Sequence, residues 1–303
     1  MRFLAIVPIL CCTAALILSF LCLFAGHKPS FMTDYPIMTL NVSRLPEGLV
    51  NSTLESDSSP LSSLWDKVPS GIKDPIEGAA NSVASSIGEE LGIEDWYSAH
   101  LLDFCYGQYT PTESPNATIS AGDIDKNVTG CSNQTAMFHF DPQQIIEDAL
   151  NKSGTGITLD DLKWPEDIQT GLDTLRVVSV TAFVLYCIAI ALIFIALVAA
   201  LPALFAQGRL AACLNWMVGI LAFLAIGLAS ALITALIVKG GNIVNEKGNP
   251  VGVEAHRGNK FLALTWAATG LMFITLLVWS FEICCGPHSR RAKKNTYSPA
   301  KHG

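Results

Sequence analysis

Four long apolar segments constrain this chain more than any other feature of its sequence. They occupy residues 3–26, 177–206, 210–238 and 261–283 of the 303. Each exceeds the roughly 20 residues that a helix needs to cross about 30 Å of hydrocarbon. Half of all residues are hydrophobic and 15% are charged, against about 25% charged residues in soluble domains. The sequence therefore predicts a mainly α-helical membrane protein built on a bundle of four transmembrane helices.

The first apolar segment fits either a retained membrane helix or a cleavable signal peptide. It follows the basic Arg2 and ends at Ala25-Gly26, which is typical of a secretion signal. However, its apolar run covers 24 residues, whereas the apolar core of a signal peptide has about 7 to 15. We expect the segment to be retained as the first membrane helix, with cleavage as the alternative.

Basic residues beside the apolar segments indicate which ends face the cytosol. Arg290, Arg291, Lys293 and Lys294 follow the last segment, and Arg209 lies in the short turn between the second and third. Because positively charged flanks stay in the cytosol, both termini are predicted to be cytosolic. The expected order is helix 1 with the N-terminus (1–26), a large outer loop (27–176), helix 2 (177–206), a cytosolic turn (207–209), helix 3 (210–238), a second outer loop (239–260), helix 4 (261–285) and a basic tail (286–303).

The large outer loop is acidic and rich in glycosylation sequons. It holds 23 of the 26 acidic residues, so the net charge of −7 arises there. A nucleic-acid partner is not predicted, because its binding would require a basic patch. Six Asn residues are each followed two positions later by Ser or Thr, which predicts an N-glycosylated, extracytoplasmic loop. These residues are Asn41, Asn51, Asn116, Asn127, Asn133 and Asn151.

Two pairs of cysteines have predictable roles. Cys105 and Cys131 are the only cysteines in the outer loops. Because that compartment is oxidising, we predict a disulfide between them. Cys284 and Cys285 lie where the fourth apolar segment meets the basic tail, a position suited to reversible palmitoylation. The alternative for this second pair is two inert thiols at a helix end.

The large outer loop contains signals for both helices and strands. Residues 28–70 are rich in Ser, Pro and Asn and are interpreted as mostly irregular. Helix starts are predicted at Asp74, at Asp141 and at Thr158, the first two followed directly by Pro. The first of these helices is expected to pack on the rest of the loop, with the outer leaflet as the alternative. Short strands are predicted between the first two helices, and a small hairpin around Lys247 in the second outer loop.

The membrane segments carry little of the chemistry used in transport or catalysis. They contain no Asp, Glu, Lys, Arg or His before Glu282, which argues against an ion-coupled transporter. Asn215 is expected to form an interhelical hydrogen bond. Gly227, Ala231 and Ala235 recur at four-residue spacing and predict a face for close helix contact, with coincidental spacing as the alternative.

No enzyme motif, catalytic residue or cofactor-binding residue is predicted anywhere in the chain. The sequence has no GxSxG, HExxH or phosphate-binding GxxxxGK pattern. His100 and His139 are the only weak candidates for a metal site, and no ligand spacing surrounds them. We therefore expect a non-enzymatic protein without metal or cofactor.

Several motifs between residues 100 and 286 together resemble the fungal cortical-patch/PalI family of four-span proteins. They are HLLDFCYGQYTP, the NVTGC that ends at Cys131, MFHFDP, GVEAHRGNKFLALTWAATGLM and the closing FEICCG. That family is similar to claudins, which implies a claudin-like bundle with a small disulfide-stapled α+β extracellular region. The claudin Gly-Leu-Trp motif is replaced here by a stretch beginning at His100 that lacks both the Gly and the Trp, so paracellular sealing does not carry over.

The resemblance implies a plasma-membrane protein that organises cortical, eisosome-associated domains and supports cell-wall integrity, endocytosis and stress tolerance. The implied partners are membrane lipids, further copies of the chain or other cortical-domain proteins, and the cell wall. The main alternative is an accessory protein of ambient-pH signalling, as in the PalI branch, whose members usually carry a longer tail than 286–303. A further alternative is a regulator of calcium entry.

Overall fold

The computed structural model describes residues 3–45, 91–110, 125–154, 158–159, 167–202, 209–249 and 252–285. In chain order its elements are α1 (Phe3–Phe24), β1 (Met38–Asn41), β2 (Trp96–Ala99), β3 (Phe104–Thr110), β4 (Asp125–Cys131), α2 (Pro142–Ser153), α3 (Asp167–Ala200), α4 (Arg209–Gly248), β5 (Glu254–Arg257) and α5 (Asn259–Cys285). Four of the helices, α1, α3, α4 and α5, are long and apolar enough to cross a membrane.

The four membrane helices pack through small and branched residues. Helix α3 packs along α4, and α1 contacts both α3 and α5. Their shared core contains Ala182, Ala189 and Ile193 from α3 and Ala222 and Ala229 from α4. Small side chains let helix backbones approach closely, which favours association in lipid. The opposite faces carry exposed Leu, Ile and Phe along every span, as expected of a surface that contacts lipid tails.

The five strands form one antiparallel sheet in the order β4-β3-β2-β1-β5. Strand β1 follows α1 and β5 directly precedes α5, so the sheet lies at one end of the bundle. The central strand β1 pairs Met38 with both Ala99 and Arg257. Helix α2 packs on the sheet through Ile146 and Leu150, which share a core with Leu40 and Tyr97. We call the five strands together with α2 the cap.

The prediction of a mostly irregular segment over residues 28–70 holds for most of its described part, but it is wrong for residues 38–41. Residues 38–41 form β1, and all four are buried. The segment is too short to show an alternating pattern, and both of its faces are covered. It is ordered by partners on each side, β2 and β5, which lie far away in the sequence. The remainder, from 46 onward, lies outside the described residues, as does the helix predicted from Asp74.

The hairpin predicted around Lys247 is also wrong. Helix α4 continues to Gly248, ten residues beyond the predicted end of the third span. Its 40 residues measure about 60 Å, roughly twice the hydrocarbon thickness. The extension is held by β5, since Asn245 exchanges two hydrogen bonds with the backbone of Ala255, of 2.6 and 3.1 Å. This loop joins the large one through the pairing of β5 with β1.

The helix predicted from Asp141 is confirmed. Asp141 caps it by accepting a hydrogen bond from the Gln144 amide at 3.2 Å, Pro142 occupies its first turn, and Gly154 ends it with a φ of 66°. The short strands expected before it are present as β2, β3 and β4. Most of the helix predicted from Thr158 lies outside the described residues, and α3 begins at Asp167.

Candidate functional site: the cap and its junction with the bundle

The predicted disulfide between Cys105 and Cys131 is present. The two residues face each other across the β3–β4 pair, and their sulfurs are 2.06 Å apart. Cys105 is fully buried against Trp96 and Tyr109, with Val128 packed at the edge of the same cluster. The Cys105 sulfur also lies 3.3 Å from the carbonyl oxygen of Gly26. The bridge therefore holds β4 onto the sheet at the point where the cap meets the end of α1.

Glycines permit the closest approaches within this junction. A Cβ added to Gly258, between β5 and α5, would lie 1.8 Å from the carbonyl oxygen of Pro36. The Gly258 amide donates a hydrogen bond to the Ile37 carbonyl at 3.0 Å. At Gly26, with a φ of +83°, a Cβ would lie 2.4 Å from the His100 ring. The connections of the cap to α1 and to α5 thus each depend on a residue without a side chain.

Two titratable side chains are buried beside this junction. His100 and Asp103 are 2% and 0% exposed, and the His100 amide donates a hydrogen bond to the Asp103 carbonyl at 2.9 Å. Burial lowers the pKa of His100 to about 4, and the nearby Tyr35 backbone opposes this shift. Burial raises the pKa of Asp103 to about 6, opposed by Gln134 and by the charge of His27. The cap therefore contains two groups whose titration is displaced in opposite directions.

The structure does not assemble a metal site around the histidines. His100 is buried at the junction, whereas His139 lines a separate cavity against α2. Within the part of the chain that the structure describes, no three His, Cys, Asp or Glu side chains come together in a way that could hold a metal ion.

A cluster of hydroxyl groups connects three membrane helices in the bundle core. Ser230 of α4 lies 2.7 Å from the Thr265 hydroxyl and 3.0 Å from the Thr269 hydroxyl of α5. Tyr186 of α3 also hydrogen bonds to Thr265. All four side chains are buried. Interhelical hydrogen bonds of this kind contribute on average about 0.6 kcal/mol each in membrane proteins, and here they fix three helices relative to one another.

Sequence reasoning missed this hydroxyl cluster. Thr265 and Thr269 stand four positions apart on α5, so one helix face was already polar in the sequence. The polar residue that was singled out, Asn215, behaves as expected. Its side-chain amide donates to the Ala199 carbonyl on α3 at 3.1 Å and to the Ala211 carbonyl on its own helix at 3.0 Å.

The predicted small-residue face of α4 is not its packing face. Ala231 and Ala235 are exposed, and only Gly227 approaches a neighbouring helix, with a would-be Cβ 3.8 Å from the Thr269 methyl group. The residues that pack in the shared core lie two positions before Ala231 and Ala235, at Ala229 and Ile233. Because successive helical residues are about 100° apart, that offset moves the predicted stripe from the core to the lipid-facing surface.

The structure separates the six sequons into three groups. Asn41 is 3% exposed within β1, and its side-chain oxygen accepts hydrogen bonds from the Ser43 amide and hydroxyl. This burial argues against a glycan at Asn41 in the folded state. Asn127, Asn133 and Asn151 are exposed, and their glycosylation stays a prediction. Asn51 and Asn116 lie outside the described residues.

The cysteines proposed for palmitoylation lie at the end of α5 opposite the cap. Cys284 is exposed, and the side chain of Cys285 lies outside what the structure describes. Acylation of this pair stays a prediction.

Comparison with known proteins gives a family. The model of the SUR7/PalI family matches residues 4–278. The chain is also similar to the SUR7 family protein pun1 of the fission yeast Schizosaccharomyces pombe, with 22% identity over 172 residues. That alignment covers 55% of this chain and 54% of the relative, so the chain spans about half the length of the curated protein it matches. No solved structure gives a significant match.

The four apolar helices, the antiparallel sheet at one end of the bundle and the disulfide between β3 and β4 are the features expected of a claudin-like membrane protein. The family match extends from the beginning of α1 nearly to the end of α5, and it therefore includes every described element. The chain belongs to the SUR7/PalI family of claudin-like, multi-pass membrane proteins, a structural family that is not known for enzymes.

Proposed function

We propose that this protein is a non-enzymatic organiser of cortical, eisosome-associated domains in the fungal plasma membrane. In this role it gathers lipids, further copies of itself or other domain proteins laterally, and thereby supports cell-wall integrity, endocytosis and stress tolerance. Both termini face the cytosol, and the cap faces outward. Membership of the SUR7/PalI family supports the coarse part of this assignment.

One observation carries the proposal: the bundle core is closed by neutral side chains. Within the four described spans, Asp, Glu, Lys, Arg and His occur only towards the helix ends, at Arg176, Lys239, Glu246, Lys247, Lys260 and Glu282. The polar residues of the core are the Asn215 amide and hydroxyls that bond to one another across helices, as Ser230 does, or to backbone carbonyls. Transport routes and proton relays in membranes normally use ionisable side chains. A closed bundle with an apolar outer surface suits lateral organisation of the membrane better than transport.

A second candidate function is supported by the buried pair in the cap. His100 and Asp103 have pKa values of about 4 and about 6, within a range that an outward-facing cap meets when the surroundings become acidic. This observation favours the role of an accessory protein in ambient-pH signalling.

Live-cell imaging of a tagged full-length copy tests the organiser role. We expect stable puncta at the cell cortex that disperse when the eisosome scaffold is deleted. A diffuse cortical signal that does not change when the scaffold is deleted contradicts the proposal. An endosomal signal supports the pH-signalling role instead. A selective conductance of the purified protein in lipid bilayers would also overturn the organiser role, because the neutral core offers no route for ions.

The cysteines at the end of α5 allow a sharper version of the same experiment. If Cys284 and Cys285 are acylated and assist lateral sorting, changing both to Ser abolishes acyl-exchange labelling and reduces the fraction of protein in puncta. The matched control is Cys213→Ser, because Cys213 is also exposed and lies near the start of α4. Labelling that persists in the double variant excludes acylation at this pair.

A further inference from the structure

A cavity lies beside the contact between α2 and the sheet, and nothing in the organiser role uses it. Its volume is about 570 Å³, within the range of roughly 300 to 1,000 Å³ that is typical of small-molecule sites. One wall is formed by Tyr97 of β2 and by Phe104 and Tyr106 of β3, and the other by residues of α2 that include Gln144 and Asp148. We call this cavity the α2 groove.

The sheet wall of the α2 groove is an array of aromatic rings. The ring centroids of Tyr97, Phe104 and Tyr106 are 6.0 to 6.4 Å from one another, and Phe138 extends the array at 6.1 Å from Phe104. Aromatic faces are electronegative and attract cations that lie above them. Burial raises the pKa of Tyr97 to about 12, so its ring carries no charge at neutral pH.

The charged groups that line the α2 groove are mainly acidic. Among the described residues that line it, Glu94, Asp141 and Asp148 are acidic, Lys152 is basic, and His139 is also present. Because Glu94 is partly withdrawn from water, its pKa is raised by burial, with the Thr129 hydroxyl opposing this at 3.2 Å and Asp95 adding to it. A bound cation would offset that cost, since opposite charges favour each other more strongly away from bulk water.

A neutral sugar would also stack on aromatic rings, but it would leave the excess of negative charge uncompensated. An organic cation complements both the acidic and the aromatic residues of the groove. Its charge faces the carboxylates, and its alkyl groups lie on the rings. Quaternary ammonium groups are bound in this way in aromatic sites.

We propose that the α2 groove binds a small organic cation bearing a quaternary ammonium group. This site goes beyond the organiser role and does not depend on it. The ammonium group comes from a free solute of the outer medium or from a choline lipid headgroup, and the experiment distinguishes these sources.

Choline is the probe, and the full-length protein in nanodiscs is the target. Saturation-transfer NMR is expected to show choline bound, with its neutral tert-butyl isostere bound about tenfold more weakly. The titration is made in nanodiscs of phosphatidylglycerol and in nanodiscs of phosphatidylcholine. Binding in both assigns a free solute, whereas binding only without phosphatidylcholine assigns the lipid headgroup, because that lipid then competes for the groove.

Three variants locate the site. Glu94→Gln combined with Asp148→Asn is expected to weaken choline binding about tenfold, and Tyr106→Leu is expected to weaken it severalfold. The control is Glu254→Gln, which removes an acidic residue from the exposed strand β5, outside the groove, and should leave binding unchanged. Thermal unfolding of each variant identifies any that lose binding by failing to fold.

Three outcomes overturn the proposal: no choline binding in either lipid, equal binding of the neutral isostere, or equal weakening by Glu254→Gln. Binding of a neutral oligosaccharide but not of choline would show that the site has a different chemistry. None of these results bears on the cortical localisation of the protein, so the two proposals can fail separately.

Discussion

The bundle and the cap satisfy their buried polar groups in different ways. In the bundle, hydroxyls such as those of Ser230, Thr275 and Ser280 donate to the carbonyl four residues earlier on the same helix. In the cap, the corresponding bonds join separate elements and lack such a local partner, such as the bond of the Tyr109 amide to Asp95 and that of the Ala255 amide to Asn245. A hydrogen bond within one helix remains when a neighbouring hydrogen bond is lost. The sheet, by contrast, depends on a few hydrogen bonds between separate elements. Single changes in the cap should therefore cost more than single changes in the bundle.

The largest effect is expected from removing the disulfide. With Cys105 and Cys131 both changed to Ala, the chain-entropy model predicts a loss of about 3.5 kcal/mol from the free energy of unfolding of the cap. Denaturant titration should show the near-ultraviolet aromatic signal of the cap lost early while far-ultraviolet helicity persists. Cys213→Ser, which changes a free cysteine, is the control. A joint shift of both signals would mean that cap and bundle unfold as one unit.

A similar loss is expected at the connection between β5 and α5. Gly258→Ala places a methyl group on the Pro36 carbonyl oxygen, and overpacking of backbone typically costs about 1–3 kcal/mol. Gly270→Ala is a matched control within α5, because nothing lies within 4 Å of its would-be Cβ. Thermal unfolding in detergent should separate the two variants, and equal melting temperatures would contradict the close approach at Gly258.

The pH dependence of cap stability should reveal the opposite pKa shifts of His100 and Asp103. A raised pKa means that folded Asp103 binds more protons than unfolded Asp103 between about pH 4 and 6, so its contribution to stability falls as the pH rises. A lowered pKa gives His100 the opposite sign, so its contribution is lost as the pH falls from about 6.5 to 4. The two slopes partly cancel in the native protein.

Replacing Asp103 leaves the pH dependence that arises from His100 without the opposing contribution. Asp103→Asn should be more stable than the native protein at pH 7, by on the order of 2 kcal/mol, and should lose stability more steeply on acidification. Melting temperatures measured from pH 4 to 7 test this, with Asp34→Asn as an exposed control. Parallel profiles for Asp103→Asn and the native protein would show that Asp103 does not titrate in this window.

The smallest effect is expected in the bundle. Ser230→Ala removes the hydroxyl that joins Thr265 and Thr269 across two helices, at a cost of about 1 kcal/mol. Thr181→Ala is the control, because the Thr181 hydroxyl is exposed and donates only to its own helix at Val177. A loss for Ser230→Ala as large as that for Gly258→Ala would remove the distinction between the two regions.

The sequence predicts what depends on local chemistry. Helix α2 could be located because Asp141, Pro142 and Gly154 act on their own neighbours, and the apolar spans because a membrane selects for length and composition. The extension of α4 could not, since Gly240-Gly241 weakens the local helical signal and the bonds between Asn245 and Ala255 come from tertiary structure.

The features of the candidate site also divide into those that could be predicted from the sequence and those that depend on tertiary structure. The disulfide could be predicted because only two cysteines lie in the predicted outer loops. The burial of Asn41 and the α2 groove could not, because each depends on segments that are distant in the chain. The groove takes its walls from β2, β3 and α2, and no spacing within any one of them indicates a cavity.

The strand order also determines how long β1 must wait, during synthesis, for its neighbour in the sheet. Strand β1 emerges among the first elements, but its neighbour β5 follows roughly 200 residues later, which takes about 10 to 40 s at ordinary rates of translation. Throughout that interval one side of β1 is uncovered, and in the predicted topology the Asn41 sequon is open to the glycosylation machinery. A sugar added then would meet Glu254, the β5 partner of Asn41, when the last helix is inserted. Glycosylation of Asn41 and the pairing of β5 with β1 would therefore compete during assembly of this protein.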